Sequence, residues 1–207
     1  ASLILERLPA TLLLTGAAFA FAVTLGVAMG AWAARRVGRW GDTVITVLAL
    51  SFYATPLFWV GLMLVLLFSV QLEWLPSFGM STVGANLTGA AAVLDVAKYL
   101  LLPALTLGLF YMAVYARLTR ASMLEVADQD FVKTARAKGV PEPRVQRAHV
   151  LRNALLPVIT FAGIQAGQLI GGSILVETVF AWPGIGRLAF DALLQRDYQL
   201  LLGVFLC

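Results

Sequence analysis

The sequence predicts an all-α integral membrane protein, a polytopic helical bundle. Three observations carry that prediction. Of the 207 residues, 60% are hydrophobic and 13% are charged, whereas a soluble domain is about 45–50% apolar and about 25% charged. With a mean hydropathy of +0.87, so much apolar surface cannot all be buried in one water-soluble core. The apolar residues also come in long uncharged runs, not in the period-two alternation of a membrane β-barrel. Finally, the basic residues sit between those runs, and their density alternates along the chain.

A helix needs about 20 apolar residues, at about 1.5 Å rise each, to cross roughly 30 Å of hydrocarbon. Residues 11–34 carry no charge and meet that length. Residues 44–70 carry none either and are long enough to tilt. Residues 99–116 form a shorter third run and 155–176 a fourth; 198–207 begins a fifth that is cut off. The expectation is one transmembrane domain over 1–207, with four full spans, a truncated fifth, and a long basic connection at 117–154. Both ends read as cut: the chain opens on "ASLILERLPA", without Met or a charged region before a short apolar core, and stops in "LLLGVFLC". No cleavable signal peptide is visible, and the chain reads as a piece of a longer protein.

Lys and Arg number 1, 3, 1, 8 and 2 in successive connections. Arg7 precedes the first span; Arg35, Arg36 and Arg39 follow it; Lys98 stands alone. Eight basic residues then fall between Arg117 and Arg152, and Arg187 and Arg196 close the series. By the positive-inside rule the rich connections, 35–43 and 117–154, face the cytoplasm, and 71–98 and 177–197 face outward. Trp32, Trp40, Trp59 and Trp74 lie near span ends or in an outer half, as interfacial aromatics do. The net charge of +4 therefore marks a membrane face. It does not mark a nucleic-acid partner, because aromatics interleaved with the basic residues are nearly absent.

Chemistry is sparse. The single cysteine, Cys207, allows no disulfide within one chain. One His rules out a His-based metal cluster, and no GxxxxGK[ST] phosphate loop is present. The 11 acidic residues fall mostly in connections, which argues against a buried proton relay. No catalytic residues and no metal are expected.

Within the spans, Gly163, Gly167 and Gly171 recur on one helix face, as do Gly26 and Gly30, a spacing that lets helices approach closely in lipid. The triplet serves either an interface with a partner or packing within the chain. Pro56 breaks or kinks the second run. Gln165 and Gln168 should face protein or water; they either bond between helices or line a polar path. Glu177, at the outer end of the fourth run, reads as a residue at the water interface. Trp182-Pro183-Gly184 reads as a tight turn carrying an interfacial aromatic.

The 117–154 connection is too patterned for a simple turn. Asp128 or Asp130 can cap a helix over "FVKTARAKG", which Gly139 ends. Phe131, Val132 and Ala135 fall on one side of it. "VPEP" forces a break, and a second helix starts near Pro143 and runs straight into the fourth span. A lipid-gripping collar needs only charge. A helix, a glycine turn and a second helix with an apolar stripe suit the docking of a cytoplasmic protein better.

Here the sequence resembles a known family. "DFVKTARAKGV", "HVLRNALLPVIT" and "ETVFAWPGIGRLAFDALLQRDY", in that order, resemble the binding-protein-dependent ABC-transporter permeases of the dipeptide/oligopeptide/nickel family, B-type subunit. "LPSFG" and "LLPALTLGL" extend the resemblance over essentially the whole chain. It implies the helical bundle of an ABC importer permease: a transport subunit, not an enzyme, multi-pass in the bacterial cytoplasmic (inner) membrane, moving di- or oligopeptides. Nickel or glutathione-like substrates are the alternative, and a membrane scaffold whose basic loop binds lipid or a partner is the alternative of another class. The implied partners are a second homologous permease, two cytoplasmic ATPases, an extracytoplasmic substrate-binding protein and the bilayer, with no nucleic acid. No cofactor is expected on this chain, since ATP and Mg belong to the ATPases.

The resemblance makes 117–154 the ATPase-coupling loop, with Lys133, Thr134, Ala135, Ala137, Gly139, His149, Arg152, Asn153 and Pro157 as its motif residues. Lys133-Thr134-Ala135 occupy the Glu-Ala-Ala positions, so the acidic residue is missing. The outer-face motif is Glu177, Phe180, Trp182, Pro183 and Gly184, near where the binding protein docks. The family also has an earlier first span and the rest of the last one.

Overall fold

The computed structural model describes residues 2–85 and 87–205; at 2, 169–172 and 205 it describes the backbone alone. The described residues are helices and their connections, with no strand among them. In order they are α1 (Ser2–Ala34), α2 (Trp40–Ala54), α3 (Leu57–Val65) with a π-helical extension (Leu66–Gln71), and α4 (Ala90–Ala127). Next come α5 (Asp130–Ala137), α6 (Glu142–Arg144), a π-helical stretch (Val145–Leu151) and α7 (Arg152–Gly172). α8 (Ile174–Val179), α9 (Ile185–Gln195) and α10 (Tyr198–Phe205) follow.

α1, α4 and the helix running through α7 are long and apolar enough to cross a membrane. Two expected spans are interrupted, the first of them at Pro56, where the sequence expects a break or kink. The uncharged run 44–70 is not one straight helix: Pro56 has no N–H to give and takes an extended conformation (φ −57°, ψ 132°), so α2 stops at Ala54 and α3 starts at Leu57. α2 and α3 together can count as one broken span. The run 155–176 is also interrupted, because α7 ends at Gly172 and α8 begins after Ser173. Cys207 and the end of the fifth run lie outside the described residues.

The chain forms two compact units, each drawn from several segments. The first holds residues 1–20, 55–108 and 168–207. Here Gly61 on α3 meets the Phe180 ring and the Thr106 methyl, where an added Cβ would sit 3.2 and 3.3 Å away. The backbone N–H of Gly79 donates to the Phe180 carbonyl at 2.9 Å, which joins "LPSFG" to "FAWPG".

The second unit holds residues 21–54 and 109–167. α1 and α4 touch there at backbone distance. A Cβ on Gly26 would lie 2.6 Å from Cβ of Tyr115 and 2.8 Å from the Met112 carbonyl oxygen, and one on Gly30 would overlap the Ala116 carbonyl. The lipid tails offer no hydrophobic gain for bringing helices together, so close backbone packing carries the association, and only glycine permits it. Tyr53 stacks on Phe110 at 5.4 Å between centroids, and Tyr115 meets Phe161 edge-on at 5.7 Å.

Replacing Gly26 or Gly30 with Ala is expected to lower the thermal midpoint of the purified protein, since overpacking against backbone costs about 1–3 kcal/mol. Gly16→Ala, where nothing lies within 4 Å of the new methyl, should leave the midpoint unchanged or raise it, because Ala is the better helix former by about 1 kcal/mol. Melting all three variants side by side checks the contrast.

Candidate functional site

The basic connection is a built structure. α5 is preceded by Gln129 in an extended conformation, with no side-chain cap, so neither Asp128 nor Asp130 caps it as expected. Its C-terminus is closed completely. Gly139 takes φ +75°, its N–H donates to the Arg136 carbonyl at 2.9 Å, and the Val140 N–H reaches the Ala135 carbonyl at 3.2 Å. These two bonds form a Schellman motif, and the left-handed position they require is strained for any residue with a Cβ. Val140 packs against the same apolar cluster that contains Ala135, which supplies the contact that usually accompanies this motif.

That cluster fixes α5 in place. Val132 and Ala135 are buried together with Ala31 at the end of α1, Met123 on α4, Val145 and Val150 in the π-helical stretch, and Ala154 on α7. Burying a Val side chain stabilises by about 1.5–3 kcal/mol relative to leaving it in water. Phe131 does not join the buried face as expected; it is 45% exposed. Lys133, Thr134, Arg136, Ala137, Lys138 and Gly139 are exposed beside it. The turn is also tied across its mouth. Arg136 donates from Nε and Nη2 to both oxygens of Glu142 at 3.1 and 3.0 Å, and Gln146 adds a bond of 2.7 Å. The Arg136 hydrogen bonds hold the Glu142 carboxyl below its ordinary range. The pair is solvent-exposed, so it sets geometry more than stability.

Among the remaining motif residues, Asn153 donates from Nδ2 to the His149 carbonyl at 2.6 Å, inside the turn that feeds α7. Arg152 and Pro157 are exposed. The same unit contains an ion pair that the sequence did not single out. Arg120 on α4 grips Asp42, in the first turn of α2, at 2.6 and 2.8 Å, and the Gly38 N–H adds a third bond at 3.2 Å. The Arg120 hydrogen bond holds the Asp42 carboxyl below its ordinary range despite burial.

Gln165 is buried, whereas Gln168 is exposed. Gly163 and Gly167 have nothing within 4 Å of an added Cβ. At these two positions α7 has no close neighbour among the described residues; Gly171 lies outside the residues whose surroundings are described.

In the first unit the expected interfacial residues are buried. Glu177, read from sequence as a water-interface carboxylate, is 0% exposed. Thr11 Oγ1 donates to its Oε1 at 2.8 Å, Ser173 Oγ to the same atom at 3.0 Å, and the Arg187 N–H to Oε2 at 3.0 Å. Arg187 stands in the first turn of α9, so the carboxylate caps that helix from outside and meets its positive end. Gly184 and Gly186 press on the carboxylate and leave no room for a side chain. Trp182 is fully buried, and its indole N–H donates to the Ala10 carbonyl at 2.8 Å. Phe180 is buried as well, and Pro183 is partly buried. "ETVFAWPGIGR" is therefore an internal brace that ties α1, α8 and α9, and the sequence reading of an interfacial turn is corrected. The one signal pointing to this was an acidic residue next to an apolar run with two small residues behind it.

Glu177→Ala removes the acceptor that the Thr11 hydroxyl and the Arg187 N–H use, and a buried donor left unsatisfied costs about 1–3 kcal/mol. The variant is expected to melt lower than one with Asp191, a half-exposed carboxylate on α9, changed to Ala. Equal melting of the two would contradict the brace.

Comparison with known proteins places these features in a family. Residues 26–207 match the model of the binding-protein-dependent transport system inner membrane component. A di/tripeptide transport system permease protein of Pseudomonas aeruginosa is 44% identical, over 94% of this chain and 62% of its own length. A putative peptide transport system permease protein of Brucella abortus is 43% identical, over 98% of this chain and 63% of its own. A glutathione transport system permease protein of Escherichia coli K12 is 45% identical, over 96% of this chain and 60% of its own. The chain thus spans about three fifths of the length of these curated relatives. With apolar helices long enough to span a bilayer and the family match over most of its length, this multi-pass membrane chain belongs to the binding-protein-dependent transport system inner membrane component family.

Proposed function

We propose that the chain is a permease subunit of an ATP-driven importer that carries di- or oligopeptides across the bacterial cytoplasmic membrane. The observation that carries the mechanism is the preformed helix α5. Its buried face is locked to the ends of α1, α4 and α7 through one apolar cluster, while Phe131 and the basic side chains of the other face are exposed. In this reading the basic end faces the cytoplasm, and the exposed face of α5 docks into a groove of an ATPase subunit. A push on α5 then passes through Val132 and Ala135 to the helices they pack against, with no flexible tether to absorb it. ATP and Mg act in the two ATPases, and this chain binds neither.

The uncovered Gly163 and Gly167 face of α7 supports a second permease as the partner that packs there. An extracytoplasmic binding protein would deliver substrate from the other side. The burial of Glu177, Phe180, Trp182 and Gly184 favours a bracing role for them over direct contact with it.

Peptides are favoured because two of the relatives quoted above carry peptide transport in their names. A glutathione-like cargo is the alternative, favoured by the third; nickel rests on the family resemblance alone. The competing class, a scaffold whose basic loop holds lipid, does not account for the closed Schellman turn.

Gly139→Val forces a β-branched residue into φ +75°, although space around the position is open. The substitution is expected to reduce ATPase association and uptake of a labelled dipeptide at least several-fold, measured with the cognate binding protein, while leaving the amount of chain in the membrane near wild type. Unchanged assembly and uptake would sink the coupling role. Uptake of nickel or glutathione but not dipeptide, by the unaltered transporter, would leave the coupling role standing and replace the substrate.

A further inference from the structure

A cleft of about 510 Å³ opens between α2 and α4 in the second unit. Val114, Leu118 and Ala121 give it apolar walls, and Tyr53, Arg117 and Arg120 give it polar ones. The two arginines differ. Arg120 is neutralised by its two bonds to Asp42. Arg117 has no carboxylate within ion-pair distance among the described residues, and its guanidinium lies over the Tyr53 ring, 5.5 Å from the centroid. The cleft therefore presents one cation without a carboxylate partner among the described residues, resting over the Tyr53 ring.

Its depth is set by the sequence. Arg117 is the first charged residue after the uncharged run 99–116, so it stands where hydrocarbon gives way to headgroups at the basic end of α4. A cation there, beside apolar walls one helical turn above and below, matches an amphiphile with an anionic head and an apolar tail. Basic pockets between membrane helices hold anionic lipid headgroups in this way. A choline headgroup fits less well, because the aromatic face that would attract a quaternary ammonium is already covered by Arg117.

We infer that the Arg117 cleft binds the headgroup of an anionic phospholipid from the leaflet at the basic end of the spans. The phosphate sits on the guanidinium, and the first part of an acyl chain lies along Val114 and Leu118. The site is separate from α5 and does not rest on the ATPase-docking role.

The test uses the complete transporter in nanodiscs of phosphatidylcholine, with and without phosphatidylglycerol, and native mass spectrometry of the lipid that stays bound. The wild type is expected to retain phosphatidylglycerol over phosphatidylcholine by about fivefold or more, the scale of one cation near a charged membrane surface. Arg117→Gln should bring the ratio close to one, and Arg117→Lys should keep part of it. Ala121→Leu fills the cleft without touching the charge and should also lower the ratio, which guards against loss of assembly in the Arg117 variants. An unchanged ratio in both Arg117→Gln and Ala121→Leu would overturn the inference. Displacement of the lipid by millimolar inorganic phosphate would make this a site for soluble anions and overturn it too. So would a loss of dipeptide binding in Arg117→Gln with lipid retention intact, which would assign the cleft to a peptide carboxylate.

Discussion

The apolar seam beneath α5 is the constraint on which the proposed mechanism depends. Without Val132 and Ala135 in the cluster, eight residues of helix would be a tether, since an isolated helix that short is marginal in water. With them, α5 becomes part of the same packed body as the ends of α1 and α4 and the start of α7. The Schellman turn at Gly139 completes the body by returning the chain into the seam through Val140. A docking element has to be exposed on one face and anchored on the other, and the fold divides these roles residue by residue: Val132 and Ala135 inward, Phe131, Lys133 and Ala137 outward.

Two further devices keep the same unit rigid. Gly26 and Gly30 let α1 lie against the backbone of α4, where van der Waals contact replaces the hydrophobic drive that lipid does not provide. Asp42 and Arg120 then fix the start of α2 to α4 near the basic end, through paired, partly buried charged hydrogen bonds. In the other unit the Glu177 carboxylate plays the comparable part, because each of its contacts is a hydrogen bond from a different segment. Removing one acceptor there would loosen three elements at once.

Much of this was legible in the sequence. Fold class followed from composition and from uncharged runs, because a bilayer demands both. The α5 helix and its Gly139 stop followed from local chemistry, the φ that only glycine adopts without strain. What could not be read were facts that depend on distant partners. Phe131 shares an apolar pattern with Val132 and Ala135, yet local spacing does not reveal that the seam is only wide enough for the latter two. Glu177 looked like a surface carboxylate because, Ser173 apart, its donors stand 166 positions before it and 10 after it. Asp42 and Arg120 were counted only as charges, since a pair separated by 78 residues leaves no periodic trace. The break at Pro56 was legible, but its completeness was not, because a proline can kink a helix as well as end it.

The direct measurement is cross-linking from the exposed face of α5 in membrane vesicles that contain the assembled transporter. Cys207 is first changed to Ser, and a single cysteine is introduced by Phe131→Cys or, as a control in an outward-assigned connection, by Val83→Cys, a position 99% exposed. If α5 is the docking helix, a short bifunctional reagent joins the chain to an ATPase subunit from position 131 and not from position 83. No ATPase adduct from position 131, with the transporter still active and the cysteine still reactive, would contradict it.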